Sequence, residues 1–302
     1  MITTYLVFPR IEAQNFNANA GAYVAGVPQP TAICGLVHAF CLAWQRNRPG
    51  ELGHPFASAL YAVSQFSGLQ GQSRNPKSMH SQKSTIGGSP SAPMTDRPRA
   101  SMEFSLVLEL NLAQEAASDD ATMLHALTQT LESLRLCGGS LWVRAGARLY
   151  DTKAKALSAV PSDAFVLSDE THVLRGWLSQ QPDLSVAQAL ADLCARPKAA
   201  DEYKPRYVPL VAGLHKLTEF APLSGARNGY AHAYAEPVIG LGRFRSIASV
   251  RRAYRLAQEA QCEPVEAVMP DGVSIPCNAT PGVFWTYASF PLGEEFHLVE
   301  GY

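Results

Sequence analysis

The chain has 302 residues, 47 % of them hydrophobic and 17 % charged, and 25 Lys and Arg against 26 Asp and Glu leave a net charge of −1. That balance excludes a protein coated in positive charge but leaves room for a local basic patch, and the length allows one large domain or two modest ones. A charged fraction below the usual ~25 % fits either a surface partly covered by partners or a simply alanine-rich composition.

Residues 2–8, rich in β-branched and aromatic side chains, read as a strand that Pro9 ends. Residues 10–28 are small and polar, which is loop chemistry. A helix is expected from Thr31, a plausible N-cap, to Gln45, with Ile33, Leu36, Val37, Phe40 and Trp44 at helical spacing. Residues 58–66 read as a second strand. Between 68 and 98 aliphatic residues nearly vanish, and Arg74, Lys77, Lys83 and Arg97 oppose the single acid Asp96, so the stretch reads as a functional or disordered insertion. A strand over 101–112, a helix over 121–136 closed by Cys137-Gly-Gly and a strand over 141–150 follow.

The first 150 residues thus read β-α-β-β-α-β, an α+β ferredoxin-like arrangement also used by RNA-recognition modules, with an insertion at about 68–98. Residues 151–302 read as a second α/β portion packed on the first. They hold a short strand at 164–167, helices at 170–180 and 185–194, a charged connector at 196–205 and a strand at 206–213. A glycine turn around 239–245, a basic helix at 247–259 and a last strand at 284–290 complete the chain, without an internal repeat.

Three segments offer nucleic-acid chemistry. Arg10, Gln14, Asn15, Asn17 and Asn19 follow the first strand; amides read bases, riboses and phosphates, and equally cap turns. Gly240-Leu-Gly242 precedes Arg243, Arg245, Arg251, Arg252 and Arg255 with no acid among them. Glycine admits a phosphate close to the backbone and arginine forks grip it, while a solvated basic helix explains the same residues. Arg74, Lys77, His80, Lys83, Arg97 and Arg99 would face phosphates if the 68–99 segment lay along a strand. Trp142, Phe16 and Tyr23 suit base stacking or a core equally well.

Little speaks for catalysis. His38 is a possible general base for RNA cleavage, although a histidine among Leu36, Val37 and Phe40 is more often a hydrogen-bonded core residue. The chain lacks a GxSxG elbow, a phosphate loop and an HExxH pair. Cys34, Cys41, Cys137, Cys194, Cys262 and Cys277 form no CxxC pair and no zinc-spaced cluster, so no metal or cofactor is expected. Reduced thiols, no signal-peptide pattern and no apolar run of ~18 residues point to the cytoplasm and away from a membrane.

The stretch Val7-Phe-Pro-Arg-Ile-Glu-Ala-Gln-Asn-Phe-Asn-Ala18, continued by Gly26-Val-Pro and Ala32-Ile-Cys-Gly-Leu-Val-His-Ala39, resembles the N-terminal signature of the Csy-two family. These are the Cas-five-type subunits of type I-F CRISPR surveillance complexes. Shorter matches follow in order at Arg99-Ala-Ser-Met-Glu-Phe-Ser-Leu, Leu134-Arg-Leu-Cys-Gly-Gly-Ser-Leu, Ala164-Phe-Val-Leu-Ser168, Ala189-Leu-Ala-Asp-Leu-Cys194, Val208-Pro-Leu-Val-Ala-Gly213 and Gly240-Leu-Gly-Arg243. The resemblance spans about residues 5–250, and the last fifty match poorly. It implies a ferredoxin-like (RRM/RAMP) domain with an inserted thumb, here placed at 68–98. It implies a non-catalytic subunit that caps the 5′ handle of the CRISPR RNA, because processing falls to a separate endonuclease. The implied partners are the large (Cas-eight-type) subunit and the first backbone (Cas-seven-type) subunit, with room for contact to target DNA near the PAM. Under this resemblance Gln14, Asn15, Asn17, Arg243 and Arg245 become handle contacts that converge on the RNA. An endoribonuclease with His38 as general base is the alternative.

Overall fold

The structure is a computed structural model that describes residues 2–19, 26–47, 56–70, 81–82, 85–86, 89–90, 94–95, 99–112, 121–195, 207–222, 232–259, 265–268, 274–277, 282–290 and 296–301. The chain opens with β1 (Ile2–Asn17), α1 (Pro30–Asn47) and β2 (Phe56–Gln70). Four two-residue strands follow: β3 (Ser81–Gln82), β4 (Thr85–Ile86), β5 (Ser89–Pro90) and β6 (Met94–Thr95). Next come β7 (Arg99–Leu112), α2 (Ala121–Glu132), β8 (Arg135–Leu136), β9 (Gly139–Ala145), β10 (Arg148–Tyr150) and α3 (Lys153–Ser158). The remainder is β11 (Phe165–Asp169), α4 (Thr171–Gln180), α5 (Val186–Cys194), β12 (Tyr207–Lys216), β13 (Ala235–Ser246), α6 (Ile247–Glu259), β14 (Val265–Val268), β15 (Ser274–Cys277), β16 (Trp285–Phe290) and β17 (Phe296–Gly301).

The protein is a mixed α/β molecule dominated by one curled antiparallel sheet. Its first half contributes four neighbouring strands in the order β2-β7-β1-β9. Helices α1 and α2 cover one face of these strands. Ile33, Val37, Phe40, Cys41 and Trp44 repeat at helical spacing along α1 and are buried against Phe8, Phe104, Leu106 and Leu108. Phe8 and Phe40 meet edge to face at 5.9 Å. Met123, Leu127 and Leu131 do the same work on α2.

The other face is covered only in part. Tyr5, Val7, Leu60, Ala62 and Val107 pack beneath Ala156 and Leu157 of α3 and Ile247 and Val250 of α6. Beyond the buried Ser105, and among the described residues, Arg10, Gln14, Trp142 and Arg144 on that face are exposed and Glu12, Ser101 and Glu103 half-buried.

The second half extends the same sheet and closes it. β11 pairs with β13 on one side and, through Phe165↔Val63 and Val166↔Ala62, with β2 on the other. β13 continues to β12, β12 to β17, β17 to β16, and β16 meets β2 at Trp285↔Ala59. β2, β11, β13, β12, β17 and β16 therefore form a closed ring. Outside it, α4 and α5 bury Val173, Leu174 and Ala189 against Leu241. A reciprocal Ser185–Gln188 capping box starts α5.

Several sequence expectations need correction. The first strand runs through Pro9 to Asn17, where a loop was expected. A register shift between Phe8 and Ile11 absorbs the proline, whose missing N–H is tolerated at a bulge, and a second shift lies between Ala13 and Phe16. The second helix ends at Glu132, and Arg135–Leu136 turn into a hairpin with Gly139–Ser140. Its two-residue loop, Cys137 and Gly138, has positive φ at both positions (49° and 80°), the requirement of a type I′ turn.

The glycine turn is a strand interior. Gly240 and Gly242 lie within β13 because a Cβ would not fit. At Gly242 it would stand 2.6 Å from Leu210 Cδ2 and 2.9 Å from Leu167 Cδ1, and at Gly240 2.8 Å from Thr171 Oγ1.

Cys34, Cys41, Cys137 and Cys194 are free thiols. Burial pushes the Cys34 and Cys41 thiols up to about 12. Alkylation needs the thiolate. A maleimide at neutral pH is therefore expected to leave both unmodified in the folded protein and to label both after denaturation. Rapid labelling of either in the native state would mean that α1 does not pack as described. Among the described residues no helix is long and apolar enough to cross a membrane, and no three His, Cys, Asp or Glu side chains gather as metal ligands.

Candidate nucleic-acid interface

The uncovered sheet face carries three polar rows. The row nearest the covered half holds Arg10 on β1 and Arg144 on β9. In the next, Trp142 stands opposite Glu12, and Glu12 opposite Glu103. In the last, Arg135 stands opposite Ser140, and Ser140 opposite Gln14. Strand alternation makes this possible, since Leu141, Ile11, Ala13 and Met102 between these residues point to the helices.

Ion pairs order the middle of the face. Arg10 Nε lies 2.8 Å from Glu103 Oε2. Arg144 donates to Glu12 Oε2 from Nε at 2.9 Å and from Nη2 at 2.6 Å. Gln14 Nε2 donates to Glu12 Oε1 at 2.6 Å. The Gln14 amide first, and then Arg144, hold the Glu12 carboxyl below its ordinary range. Trp142 lies beside this network with 48 % of its surface exposed.

The end of β1 is shaped by a bulge at Asn15, whose φ of 55° is left-handed. Its N–H donates to Ser101 Oγ at 3.2 Å, and its carbonyl accepts from Arg99 Nη1 at 2.9 Å. The Asn17 N–H donates to Cys137 O at 3.0 Å, and Asn17 Oδ1 accepts from the Asn19 N–H at 3.1 Å. Gly139 lets β9 approach this bulge, since a Cβ there would fall 2.6 Å from Gln14 O and 2.7 Å from Phe16 Cβ. Arg135 Nη1 donates to Ser140 Oγ. Arg10, Arg99, Arg135 and Arg144 thus face Glu12 and Glu103 at this end, a surplus of two positive charges among these residues.

The insertion is rooted here too, because Gln70 pairs with Arg99, which also pairs with Asn17. Within it, Ser81–Gln82 pairs with Met94–Thr95 and encloses a Thr85–Ile86/Ser89–Pro90 pair. Arg74, Lys77, His80, Lys83, Arg97 and Tyr23 lie outside the described residues or their described side chains.

The structure gathers Arg10, Gln14, Asn15, Asn17 and Arg99, but not the arginines of the second half. By register, Arg243 pairs with Ser168, one strand from β2, at a level some residues below Gln14. No hydrogen bond or ion pair joins the two groups among the described residues, so the expected convergence is not observed. Arg245 is held by Glu170, with Nη2 at 2.6 Å from Oε1 and Nε at 3.1 Å. Arg251 donates to the carbonyls of Leu157, Ser158 and Val160 at the end of α3. Arg252 and Arg255 are exposed on α6, and Arg243 is half-buried.

His38 is exposed, not in the core as expected, and α1 places it on the opposite side of the sheet from Gln14. Phe16 is buried and meets the exposed Phe66 edge to face at 6.3 Å. Sequence reasoning missed Arg135, Ser101, Ser140 and Arg144. The alternation of Ser140, Trp142 and Arg144 with Leu141 and Val143 was the available signal, and Arg135 was hidden by the longer helix expected there.

Fold and face together define a sheet-dominated α/β protein whose helices leave one end of a polar, arginine-bearing sheet surface open. The sequence matches the family of CRISPR-associated protein (Cas_Csy2) over residues 6–265. The chain belongs to that family, and membership makes it a subunit of a CRISPR-associated Csy complex with other Cas proteins. No curated protein matches the sequence.

Proposed function

We propose that the chain is the non-catalytic subunit of a type I-F CRISPR RNA-guided DNA surveillance complex that holds the 5′ handle of the CRISPR RNA on the open end of its sheet. The carrying observation is that end itself, where Trp142 is half-exposed beside the Gln14 amide with a surplus of arginines around it. The order β2-β7-β1-β9 with both helices on one face supports a ferredoxin-like RRM/RAMP unit. RNA-recognition modules of this kind bind single strands on the face opposite their helices.

In this reading Arg99 and Arg135 grip phosphates, Trp142 stacks a base, and Gln14, Asn15 and Asn17 satisfy base and ribose groups. Arg10 and Arg144 chiefly order the face through their carboxylates. Arg74, Lys77 and Arg97 extend the binding path along the thumb, and Arg252 offers a separate phosphate partner on α6. The large subunit, the first backbone subunit and target DNA near the PAM are the partners, in the cytoplasm. His38, across the sheet from the RNA, takes no part.

Expression with the neighbouring genes, recovery through a tag on this chain and sequencing of the bound RNA tests the reading. Guide-length RNA with a constant 5′ handle, one chain per RNA, is expected. Trp142→Ala is expected to weaken RNA retention by about 1–3 kcal/mol, the worth of one stacked base. Arg99→Ala with Arg135→Ala is expected to reduce the slope of log affinity against log salt by ~0.7 for each phosphate that is no longer neutralised. RNA-free protein, or many chains per guide, would sink the proposal, and cutting of repeat RNA by the purified chain would move it to an enzyme.

A further inference from the structure

The ends of β12 and β13 farthest from the covered part of the ring form a ribbon whose exposed side chains are large and apolar. Leu214, Leu217, Phe220 and Tyr234 are 50 %, 56 %, 56 % and 68 % exposed. Single exposed apolar residues are ordinary, but four in so short a ribbon are not. They stand on both of its faces. The Leu217 N–H donates to Tyr234 O at 2.7 Å, which sets these two side by side on one face. Leu214 lies opposite Pro237 and shares the other face with Lys216, whose ammonium sits 5.4 Å from the Phe220 ring centroid. Helices α4 and α5 cover Tyr207 and Leu241 nearer the ring and β17 pairs along the Leu214–His215 edge, but Leu214, Leu217, Phe220 and Tyr234 keep half or more of their surface exposed.

The charges narrow the choice of occupant. Lys216 is mostly buried and lies 3.1 Å from Glu219 Oε2, Glu236 Oε1 lies 4.0 Å from Nδ1 of the partly exposed His215, and both carboxylates are well exposed. The described ribbon therefore offers solvent apolar surface and carboxylates. Phosphate backbones and anionic lipid surfaces are repelled by that combination. A second copy of the ribbon would bring carboxylate to carboxylate. A different protein, with an apolar cleft and lysine or arginine at its rim, matches both properties.

We infer that this ribbon is a docking element that another protein subunit of the complex takes into an apolar, cation-rimmed cleft. The inference rests on membership of a multi-subunit complex and not on the RNA reading.

The test co-expresses the chain with the other proteins encoded beside it and recovers them through a tag on this chain. Leu217→Glu with Tyr234→Glu is expected to lower one co-purifying protein by about tenfold or more, the size of the effect when a pair of buried apolar anchors is removed. Glu219→Lys with Glu236→Lys is expected to weaken the same protein's retention and to flatten or reverse its dependence on salt, because salt screens the repulsion that replaces an attraction. The isolated variants are expected to melt as the parent does, because the altered side chains are exposed. Leu217→Ser with Tyr234→Ser, which adds no charge, gives the same reading if the glutamates disturb the ribbon. Full retention of every protein subunit by both apolar variants overturns the inference. So does loss of RNA with all proteins retained, or a dimer of the isolated chain that the variants dissolve. Absence of handle RNA from the parent preparation, with the ribbon variants still losing a protein, would defeat the RNA reading alone.

Discussion

Arg245→Ala is expected to destabilise the protein by about 3–5 kcal/mol, the range for removing one partner of a buried ion pair. The side chain of Glu170 is 6 % exposed, and that of Arg245 is 30 % exposed. Glu170 Oε1 accepts from Arg245 Nη2 at 2.6 Å and from the buried Ser168 hydroxyl at 2.7 Å. Without Arg245 the carboxylate keeps the Ser168 hydroxyl and, at 4.0 Å, the His172 ring as polar neighbours, in a place that water scarcely reaches. Glu170→Gln is expected to be milder, about 1–3 kcal/mol, because the exposed part of Arg245 can turn to water. Arg245→Met with Glu170→Leu is expected to recover much of the loss, since a buried pair replaced by apolar groups of similar volume is often close to neutral. Denaturant unfolding with linear extrapolation measures all three. An Arg245→Ala loss below about 1 kcal/mol, the level of a surface pair, would show that Glu170 is not stranded.

Trp285→Ala is expected to have an effect of similar size, about 3–5 kcal/mol, as for other large aromatic truncations in cores. Trp285 is fully buried, and its backbone stands between Ala59 of β2 and Gly301 of β17. Its indole N–H donates to Leu167 O on β11 at 3.3 Å. The residue therefore ties together three of the strands that meet where the ring shuts. Trp285→Phe keeps most of the packing and gives up the N–H, so roughly 1–2 kcal/mol is expected for it. Equal losses for the two variants would mean that the hydrogen bond, not the buried volume, does the closing.

How much of this could be read in advance depended on whether a signal was local. The helix at Pro30–Asn47 was legible because its apolar stripe is periodic, and so were the strands at Phe56–Gln70 and Arg99–Leu112. The resemblance named from the N-terminal block agrees with the family that matches residues 6–265. What failed was decided by neighbours distant in sequence. Pro9 and Asn15 look like loop residues, and only pairing with β7 and β9 turns them into bulges within a strand. Gly240 and Gly242 look like a phosphate-gripping turn, and only the leucines and Thr171 packed above them reveal a strand short of room for a Cβ. Arg245 looked free until Glu170 appeared beside it, 75 residues away in the chain. On the candidate interface the amides were visible and their frame was not, because no local pattern announces that Arg99 will reach the Asn15 carbonyl.

The closed ring also has a history in time. β2 and β12 lie on either side of the β16–β17 hairpin, which is the last part of the ring to be synthesised. At translation speeds of about 5–20 residues per second, the interval between residues 216 and 301 lasts roughly 4–17 s. Throughout it, two strand edges wait on the ribosome without the hairpin that will join them, and open edges recruit whatever strand they meet. A nascent chain released early, or crowded by copies of itself during strong overexpression, would leave its gap open and aggregate. The yield of correctly folded protein should therefore respond to the tempo of translation through these last residues more than to changes in the well-covered first half.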